Sequence, residues 1–413
     1  MASCRKQDVN ESEDSDRPPR CLTFTDNIIQ SMQILGLLAP TNSIAPASTP
    51  AEIDTTGDQE LNRCLSMHSV VSASSSFADR RTAAQSSYTE IFTKIGAGSC
   101  GAIFAQECKS HVLKLAKSSD FDLWNDYQKH TLISEKLYKF RASMKIPKCY
   151  FYIPKDDAKF FDANPTLCEA ARTVCNMPTE ILVTQRIIPL PSRTRRLLID
   201  KFCSDRIKAK ALEDPANKDC LVRVYLGSMQ GKSGGMFFSL RNFKLHLNQM
   251  IDLGLDIFTM AQQVAESLAI MHWAARTDAR DVEFVLGSST IKHPAQSFTS
   301  EELCRIPPGT YTGPVSRNVE DFFHRKTDLW VLDFNQVKPI TMDDTGVEQA
   351  VLAAKINDPY IPKPSRASKT ESGLWNHFVR CYVEVADSIL THEDLSIREL
   401  PGKFLKGLIE KAQ

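Results

Sequence analysis

Apolar positions follow two different spacings along this chain. After Tyr88 they alternate with polar ones, which predicts a strand, a glycine-rich turn, a second strand, a short turn at 109–111 and a third strand. A helix from about Phe121 to Phe140 follows, and short apolar runs typical of strands come after it. From Asn248 onward, apolar residues mostly recur three and four positions apart, which predicts helices. This order indicates a small β-rich lobe followed by a mainly helical lobe.

Two short apolar strands interrupt the helical part. Their sequences are DVEFVLG, which begins at Asp281, and DLWVLDF, which begins at Asp328. They flank a loop of roughly forty residues that contains several Ser, Thr, Pro and Gly, which is longer than the loops of compact domains usually are. We therefore expect a functional insertion over residues 288–326.

The first 86 residues have a different composition from the rest of the chain. They are rich in Ser, Thr, Asp, Ala and Pro and contain few aromatic residues. Such a segment buries too little apolar surface to offset the entropy of ordering, so we expect a mostly disordered head over 1–86. Within it, residues 21–38 carry apolar side chains at helical spacing. They predict either a short helix that docks on the main domain or a partner, or a transient helix in a flexible head.

Charge and cysteine usage narrow the class of protein. Fifty basic residues balance fifty acidic ones, which argues against a protein that coats nucleic acid. The twelve cysteines include no Cys-x-x-Cys pair, so we expect reduced thiols in a cytoplasmic or nuclear protein. The first twenty residues have no apolar core typical of a signal peptide, and no run of about eighteen apolar residues predicts a membrane span.

The glycine-rich turn is the first candidate for chemistry. Gly96, Gly98 and Gly101 form the pattern G-x-G-x-x-G, in which missing side chains let backbone amides approach phosphate oxygens. A dinucleotide-binding turn would lead into a helix, whereas the segment IFAQEC that follows predicts a strand. A phosphate-binding hairpin is therefore favoured, with an ordinary glycine-rich turn as the alternative.

Lys114 in the third predicted strand is the second candidate. Its neighbours Leu113 and Leu115 face the opposite side of the strand, and an inward lysine needs an acidic partner. Glu135 on the following helix is the predicted partner, and Asp126 is a rival. Nine residues separate the two acids, so they face opposite sides of a helix and only one of them can reach Lys114. Solvated charges are the alternative to both.

Acidic residues beside the two late strands are the remaining candidates. Asp278, Asp281 and Glu283 place three carboxylates within six residues, which suits a divalent cation or, alternatively, a solvated acidic turn. Asp333 ends the apolar segment DLWVLDF and precedes Phe334. A carboxylate that closes a buried strand must be paired, capped or bound to metal. We expect metal binding at Asp333, with capping of the next turn as the alternative.

In this order, these residues resemble the protein-kinase-like superfamily, and the aminoglycoside phosphotransferase type more than the eukaryotic protein kinases. The chain is also similar, over roughly residues 90–380, to a fungal family of uncharacterised proteins often labelled zinc finger proteins. The similar segments are GAGSCGAIF, LWNDYQKH, FFSLRNFKLHLNQM, MHWAARTDARDVEFVLG, LWVLDFNQ and INDPYIPKP. The sequence has no zinc-finger spacing of Cys and His.

The resemblance implies an α+β, bilobal kinase-like fold. Its β-rich N-lobe would span residues 87–186 and its helical C-lobe residues 187–413. ATP and Mg²⁺ are the implied cofactors. Asp278 would then act on the phosphate acceptor, Gly96, Gly98, Gly101, Lys114 and Glu135 would serve the nucleotide, and Asp333, Glu283 and Asp281 would hold the metal.

Several residues depart from the kinase pattern. Thr277 precedes Asp278 where kinases have Arg, Glu283 stands where Asn is usual, and Asn335 replaces a Gly. The first hypothesis is an ATP- and Mg²⁺-dependent phosphotransferase that acts on a small molecule or an unusual protein. The alternative is a pseudokinase that binds or regulates without turnover, in a fungal secondary-metabolite pathway.

Overall fold

The computed structural model describes a mixed α+β molecule with two five-stranded sheets. The described residues are 24–34, 38, 56–67, 69–72, 91–98, 100–107, 109–117, 122–235, 237–292, 299–310, 320–364 and 368–410. None of the helices within these ranges combines the length and the apolar content needed to cross a bilayer.

Helices are distributed along the whole described part of the chain. In chain order they are α1 Phe24–Ile34, α2 Thr56–Leu65, α3 Asp122–Lys139, α4 Ala158–Ala163, α5 Pro165–Ala171, α6 Ser192–Phe202, α7 Lys208–Glu213, α8 Leu247–Asp252, α9 Ile257–Ala269, α10 Ser300–Arg305, α11 Asp344–Ile356, α12 Lys369–Leu390, α13 Leu395–Arg398 and α14 Leu400–Glu410. The strands are β1 Val70–Ser72, β2 Phe92–Ala97, β3 Gly101–Gln106, β4 His111–Ala116, β5 Cys149–Ile153, β6 Ile181–Gln185, β7 Val222–Tyr225, β8 Phe243–His246, β9 Glu283–Lys292 and β10 Glu320–Leu332.

The first sheet is antiparallel and has the order β2-β3-β4-β6-β5. Its core contains Phe104, Leu115 and Ile181, none of which exposes more than 1% of its surface. Lys114 sits on the central strand, paired with Ile103 on one side and Leu182 on the other. The alternation within β4 directs its leucines into this core and Lys114 to the other face of the strand.

The second sheet has the order β1-β10-β9-β7-β8, and its β7–β8 pair is parallel. Strands β9 and β10 form one long hairpin, with Glu283 opposite Leu332 at its base and Lys292 opposite Glu320 at its far end. Within the expected insertion over 288–326, residues 288–292 and 320–326 extend this hairpin and residues 300–305 form helix α10, while 293–298 and 311–319 lie outside the described residues. Strand pairing satisfies the backbone groups that a free loop would leave to solvent.

The helical part is built around α9 and α12, whose buried faces pack together. The Asp256 side chain caps the start of α9 by accepting a hydrogen bond from Thr259 N at 3.0 Å. The helix predicted from Asn248 to Trp273 is interrupted before this cap, where Gly254 adopts a left-handed φ of 63°. A π-helical turn over Ile270–Ala274 follows α9 and leads into the loop that carries Asp278.

Part of the head expected to be disordered is folded onto the main domain. Helix α1 lies within the predicted segment 21–38, and its residues Ile28, Ile29 and Met32 pack into the large core. Strand β1 pairs with β10, and α2 packs against α6. The composition of the head did not predict these contacts, because the apolar surface that the head covers is formed by residues later in the chain. The remainder of the head, 1–23, 35–37, 39–55, residue 68 and 73–86, lies outside the described residues.

Candidate functional site

Lys114 is the centre of the site. Its Nζ donates to Asp126 Oδ2 at 2.6 Å and to Asp333 Oδ1 at 2.7 Å. Only 14% of its side chain is exposed. Burial by itself would lower the pKa of the ammonium, but the two carboxylates outweigh it and hold this pKa above its ordinary value. Lys114 is therefore a permanently charged group between two acids.

The helical partner of Lys114 is Asp126, which corrects the prediction of Glu135. Asp126 lies on the face of α3 that packs toward Lys114, and only 3% of its side chain is exposed. Glu135 faces outward and lines an open surface depression with Trp124 and Tyr127. The physical reason is the helical period, since nine residues make two and a half turns and turn the second acid away.

The glycine-rich hairpin joins β2 to β3, and β3 pairs with β4, the strand that carries Lys114. Gly98 N donates to Gly101 O at 2.9 Å, which closes the turn between β2 and β3. A Cβ on Gly101 would stand 3.1 Å from Leu115 O and 3.2 Å from Lys114 Cγ, so this glycine lets the two strands approach. At Gly98, no atom of the described residues beyond its chain neighbours lies within 4 Å of the same position. The open side at Gly98 leaves room for a ligand, and phosphate binding there and at Gly96 stays a prediction.

Asp333 lies directly after β10 in a left-handed conformation, with φ of 69°. Such a conformation is strained for a residue with a side chain and is often held at functional sites. Helix α3 holds the turn 333–337, because Asn125 Nδ2 donates to Asn335 O at 2.8 Å and to Val337 O at 3.0 Å. With 31% of its side chain exposed, Asp333 faces Lys114 and solvent together.

Phe334 anchors the same turn in the core. Its side chain is fully buried and its ring centroid lies 4.9 Å from that of His130 on α3. Its backbone N donates to Asp126 Oδ1 at 3.3 Å, so Asp126 contacts both Lys114 and the turn. Asp126 thus connects the first sheet to the end of β10.

Asp278 was the predicted catalytic acid. The residue is 2% exposed, and both oxygens of its carboxylate accept hydrogen bonds from protein donors. Oδ1 accepts from Arg280 N at 3.1 Å and from Lys338 N at 2.9 Å. Oδ2 accepts from Gln349 Nε2 at 3.0 Å. These contacts tie the loop 276–281 to the chain that follows Asp333, which is a structural role. Action on a phosphate acceptor stays a prediction.

Asp281 and Glu283 lie in the same region as Asp333. Burial raises the pKa of Glu283 to about 7, with Arg223 opposing the shift and the charges of Asp333 and Asp281 adding to it. Burial, followed by the charge of Asp333, also raises the pKa of Asp281. Asp281, Glu283 and Asp333 therefore lie close enough together to interact electrostatically.

The predicted metal set of Asp333, Glu283 and Asp281 is nevertheless not assembled as a set of ligands. Glu283 Oε1 accepts from Arg223 Nη2 at 2.5 Å, and Asp281 Oδ2 accepts from Gln336 Nε2 at 2.5 Å. Within the described part of the chain, no three His, Cys, Asp or Glu side chains group so that they could hold a metal ion. Each acid accepts a hydrogen bond from a different donor, Asp333 from Lys114, Glu283 from Arg223 and Asp281 from Gln336, and metal binding by them stays a prediction.

Sequence reasoning missed Arg223 and Asn357. Asn357 is buried, and its side chain accepts from Asp281 N at 2.7 Å and donates to Ala279 O at 2.7 Å. It thereby fixes the loop that precedes Glu283. The signal for Arg223 was its position inside the apolar run VRVYLG, since a charge in a buried strand requires a partner. Asn357 lies in the segment INDPYIPKP, which offered no chemical signal of its own.

Comparison with known proteins gives one partial match. A family model described as "Zinc finger protein" matches residues 329–394, which include the end of β10, Asp333, α11, Asn357 and α12. No curated protein matches this chain. No solved structure matches it. The label agrees with the family to which the sequence is similar, while the chain contains no Cys-x-x-Cys pair.

Proposed function

We propose that this chain is a kinase-like protein that binds a nucleoside polyphosphate between its two sheets, and that its role is binding rather than phosphoryl transfer. The observation that carries the proposal is the contact of Lys114 with both Asp126 and Asp333, which lie 12 and 219 residues away in the sequence. These groups come from β4, α3 and the end of β10.

The positions of these groups support kinase-like binding. In protein kinases the phosphate-binding lysine lies on the third strand, pairs with an acid on the next helix, and works with an Asp that holds metal. Lys114 lies on the third strand of the first sheet in chain order, Asp126 on the next helix, and Asp333 beside the lysine. The hairpin at Gly98 lies next to them and leaves open space. Lys114 would contact phosphate oxygens, and Asp333 would face a bound Mg²⁺.

The surroundings of Asp278 favour binding over transfer. A general base must lie within hydrogen-bond reach of the proton that it takes from the acceptor. Both oxygens of Asp278 already accept hydrogen bonds from protein donors, and the residue is buried. Glu283 is likewise held by Arg223. The pseudokinase alternative therefore fits this site better than an active phosphotransferase.

A titration with ATP tests the proposal. We expect ATP with Mg²⁺ to raise the melting temperature of the full chain, because a ligand that binds only the folded state stabilises it. Asp333→Asn should weaken binding of ATP with Mg²⁺ by about tenfold and leave binding of ATP in EDTA at least as strong, because it removes a negative charge. Asp252→Asn is the control, since this exposed acid lies at the end of α8. Absence of any shift at millimolar ATP, with or without Mg²⁺, would disprove the proposal.

A second measurement separates binding from transfer. We expect the purified chain to form no ADP above background from ATP and Mg²⁺, alone or with casein, histone or aminoglycoside acceptors. ADP formation that disappears in Asp278→Asn, in a variant that still binds ATP, would favour the phosphotransferase hypothesis instead.

A further inference from the structure

Arg186, Asp219 and Arg241 form an ionic bridge between the first sheet and the part of the chain that carries the second sheet. The Asp219 carboxylate lies 3.2 Å from Arg186 Nη2 and 3.8 Å from Arg241 Nη2. Arg241 Nη2 also donates to Lys94 O on β2 at 3.2 Å. Arg186 Nη1 donates to Gln106 O on β3 at 3.4 Å. Both arginines therefore reach the strands that form the glycine-rich hairpin.

Two members of the ionic bridge belong to the part of the chain that carries the second sheet. Asp219 lies shortly before β7, and Arg241 lies shortly before β8. The backbone beside Arg241 is fixed, because Leu240 is fully buried and its N donates to Asn217 Oδ1 at 2.7 Å. Lys94 lies on β2, at the edge of the first sheet. Movement of the Arg241 side chain alone is therefore enough to break its contact with the first sheet.

The contact at Lys94 lies at the same level along the strands as the contacts of Lys114. The register of the first sheet places Lys94 opposite Phe104, and Phe104 opposite Leu113. Lys114 follows Leu113 directly. Two strand spacings separate β2 from β4, so the two lysine backbones lie roughly 10 Å apart across the sheet. The ionic bridge and Lys114 thus contact the same part of the first sheet from two sides.

Apolar side chains connect these two sides of the cleft. Leu332, the residue before Asp333, packs against a buried cluster that includes Ile187. Ile187 directly follows Arg186, a member of the ionic bridge. A nucleoside polyphosphate with its phosphates at Lys114 would therefore extend its base along apolar surface toward the ionic bridge.

The ionic bridge is only partly satisfied. Burial raises the pKa of Asp219, and the charges of Arg186 and Arg241 oppose this shift without cancelling it. The Nε atoms of both arginines are buried and have no hydrogen-bond partner within the described residues. The Arg241 side chain is 29% exposed. Incomplete compensation of buried polar groups makes the bridge weak enough to open.

We propose that Arg241 closes the β2 side of the cleft: its contact with Lys94 O breaks to admit a nucleoside polyphosphate and forms again when the cleft is empty. Asp219 positions Arg241 for this contact. The entry of a nucleotide rests on the proposed function, whereas the closing contact itself does not.

Amide hydrogen exchange of the nucleotide-free chain tests the closing contact. Arg241→Met removes the charge and keeps an apolar stem. We expect exchange in β2 and β3 to rise about fivefold and exchange in α9 to stay unchanged, because one partly exposed ionic contact is lost. Asp219→Asn should have the same effect, because it removes the acid that holds Arg241. Arg193→Met is the matched control, since Arg193 lies on α6 and pairs with Glu60 of α2.

The association rate of a fluorescent N-methylanthraniloyl derivative of ATP, measured with Mg²⁺ by stopped flow, tests entry. We expect association to be about fivefold faster in Arg241→Met and Asp219→Asn than in the wild type, because a larger fraction of the chains is open. The control Arg193→Met should associate at the wild-type rate.

Unchanged exchange in β2 and β3 of a folded Arg241→Met variant would overturn the inference and leave the proposed function intact. This variant decides the question alone if Asp219→Asn does not fold. Weaker nucleotide binding without faster association in Arg241→Met would also overturn it, because Arg241 would then contact the ligand. If exchange rises but neither the wild type nor any variant binds ATP, the proposed function fails, and with it the entry of a nucleotide, while the closing contact stands.

Discussion

The loop 276–283 and the turn 333–337 contact each other, yet Asp278 in the loop and Asp333 in the turn differ in exposure and in the hydrogen bonds that they accept. Asp278 in the loop is 2% exposed and accepts three hydrogen bonds from protein donors. Asp333 in the turn has 31% of its side chain exposed and shares Lys114 with Asp126. Both regions contain left-handed residues, with φ of 60° at Asp281 and 69° at Asp333. Asp278 itself is not among the described residues with a positive φ. Solvent access, hydrogen bonding and backbone conformation therefore all separate the structural acid from the candidate binding acid.

The strongest test of this contrast is Asp278→Ala. We expect the free energy of unfolding to fall by about 4 kcal/mol, because two backbone N–H groups and the Gln349 amide lose a buried acceptor. Urea denaturation measures the change, with Asp252→Ala as the exposed control. A loss below about 1 kcal/mol would show that Asp278 is not the structural anchor of the loop.

Acidification tests the core from which the loop emerges. Burial holds His272 neutral by lowering its pKa from 6.5 to about 3, and its Nδ1 lies 2.8 Å from the Tyr382 hydroxyl. A pKa depressed by folding gives stability that is fully present above about pH 6.5 and is lost as the pH falls toward 3. Between pH 7 and pH 4 we expect a loss of roughly 3 kcal/mol from this group. His272→Gln should flatten that part of the stability profile; an unchanged slope would contradict the assignment.

Asn357→Ala removes a second set of hydrogen bonds that hold the loop 276–283. The variant removes the partners of Asp281 N and Ala279 O, so we expect stability to fall by about 2 kcal/mol. Amide hydrogen exchange should rise in the loop 276–283 and remain unchanged in the first sheet. Equal acceleration in both regions would mean that Asn357 acts on the whole fold.

Asp333→Gly should have the smallest effect on stability. Glycine tolerates the left-handed conformation, which offsets part of the cost of removing one of the two partners of Lys114. We expect a change within about 1 kcal/mol, because the lost ion pair is partly exposed. A loss as large as that of Asp278→Ala would remove the contrast between the two acids.

Local sequence patterns were enough for the parts of the site that depend on strand alternation. The hairpin around Gly98, the orientation of Lys114 and the position of Asp333 after a buried strand all follow from apolar residues on neighbouring positions. The partner of Lys114 did not follow, because α3 has only a loose apolar pattern and offers Asp126 and Glu135 on opposite faces.

Contacts between segments that are distant in the sequence could not be predicted from local sequence patterns. Arg223 and Glu283 meet because β7 pairs with β9, and that register is set by the whole sheet. The folded parts of the head depend on surfaces made by later residues. Helix α2 did carry a local signal, since Leu61, Cys64 and Leu65 follow helical spacing and are buried. Composition averaged over the whole head concealed this short pattern.

Strand β1 lies at the outer edge of the second sheet, where Val70, Val71 and Ser72 pair with β10. Together with α2, it covers backbone groups and apolar side chains that a chain beginning at residue 87 would present to solvent. Unpaired sheet edges recruit strands from neighbouring molecules. Shortening the chain at the boundary suggested by composition would therefore convert a protected edge into a site of self-association and aggregation.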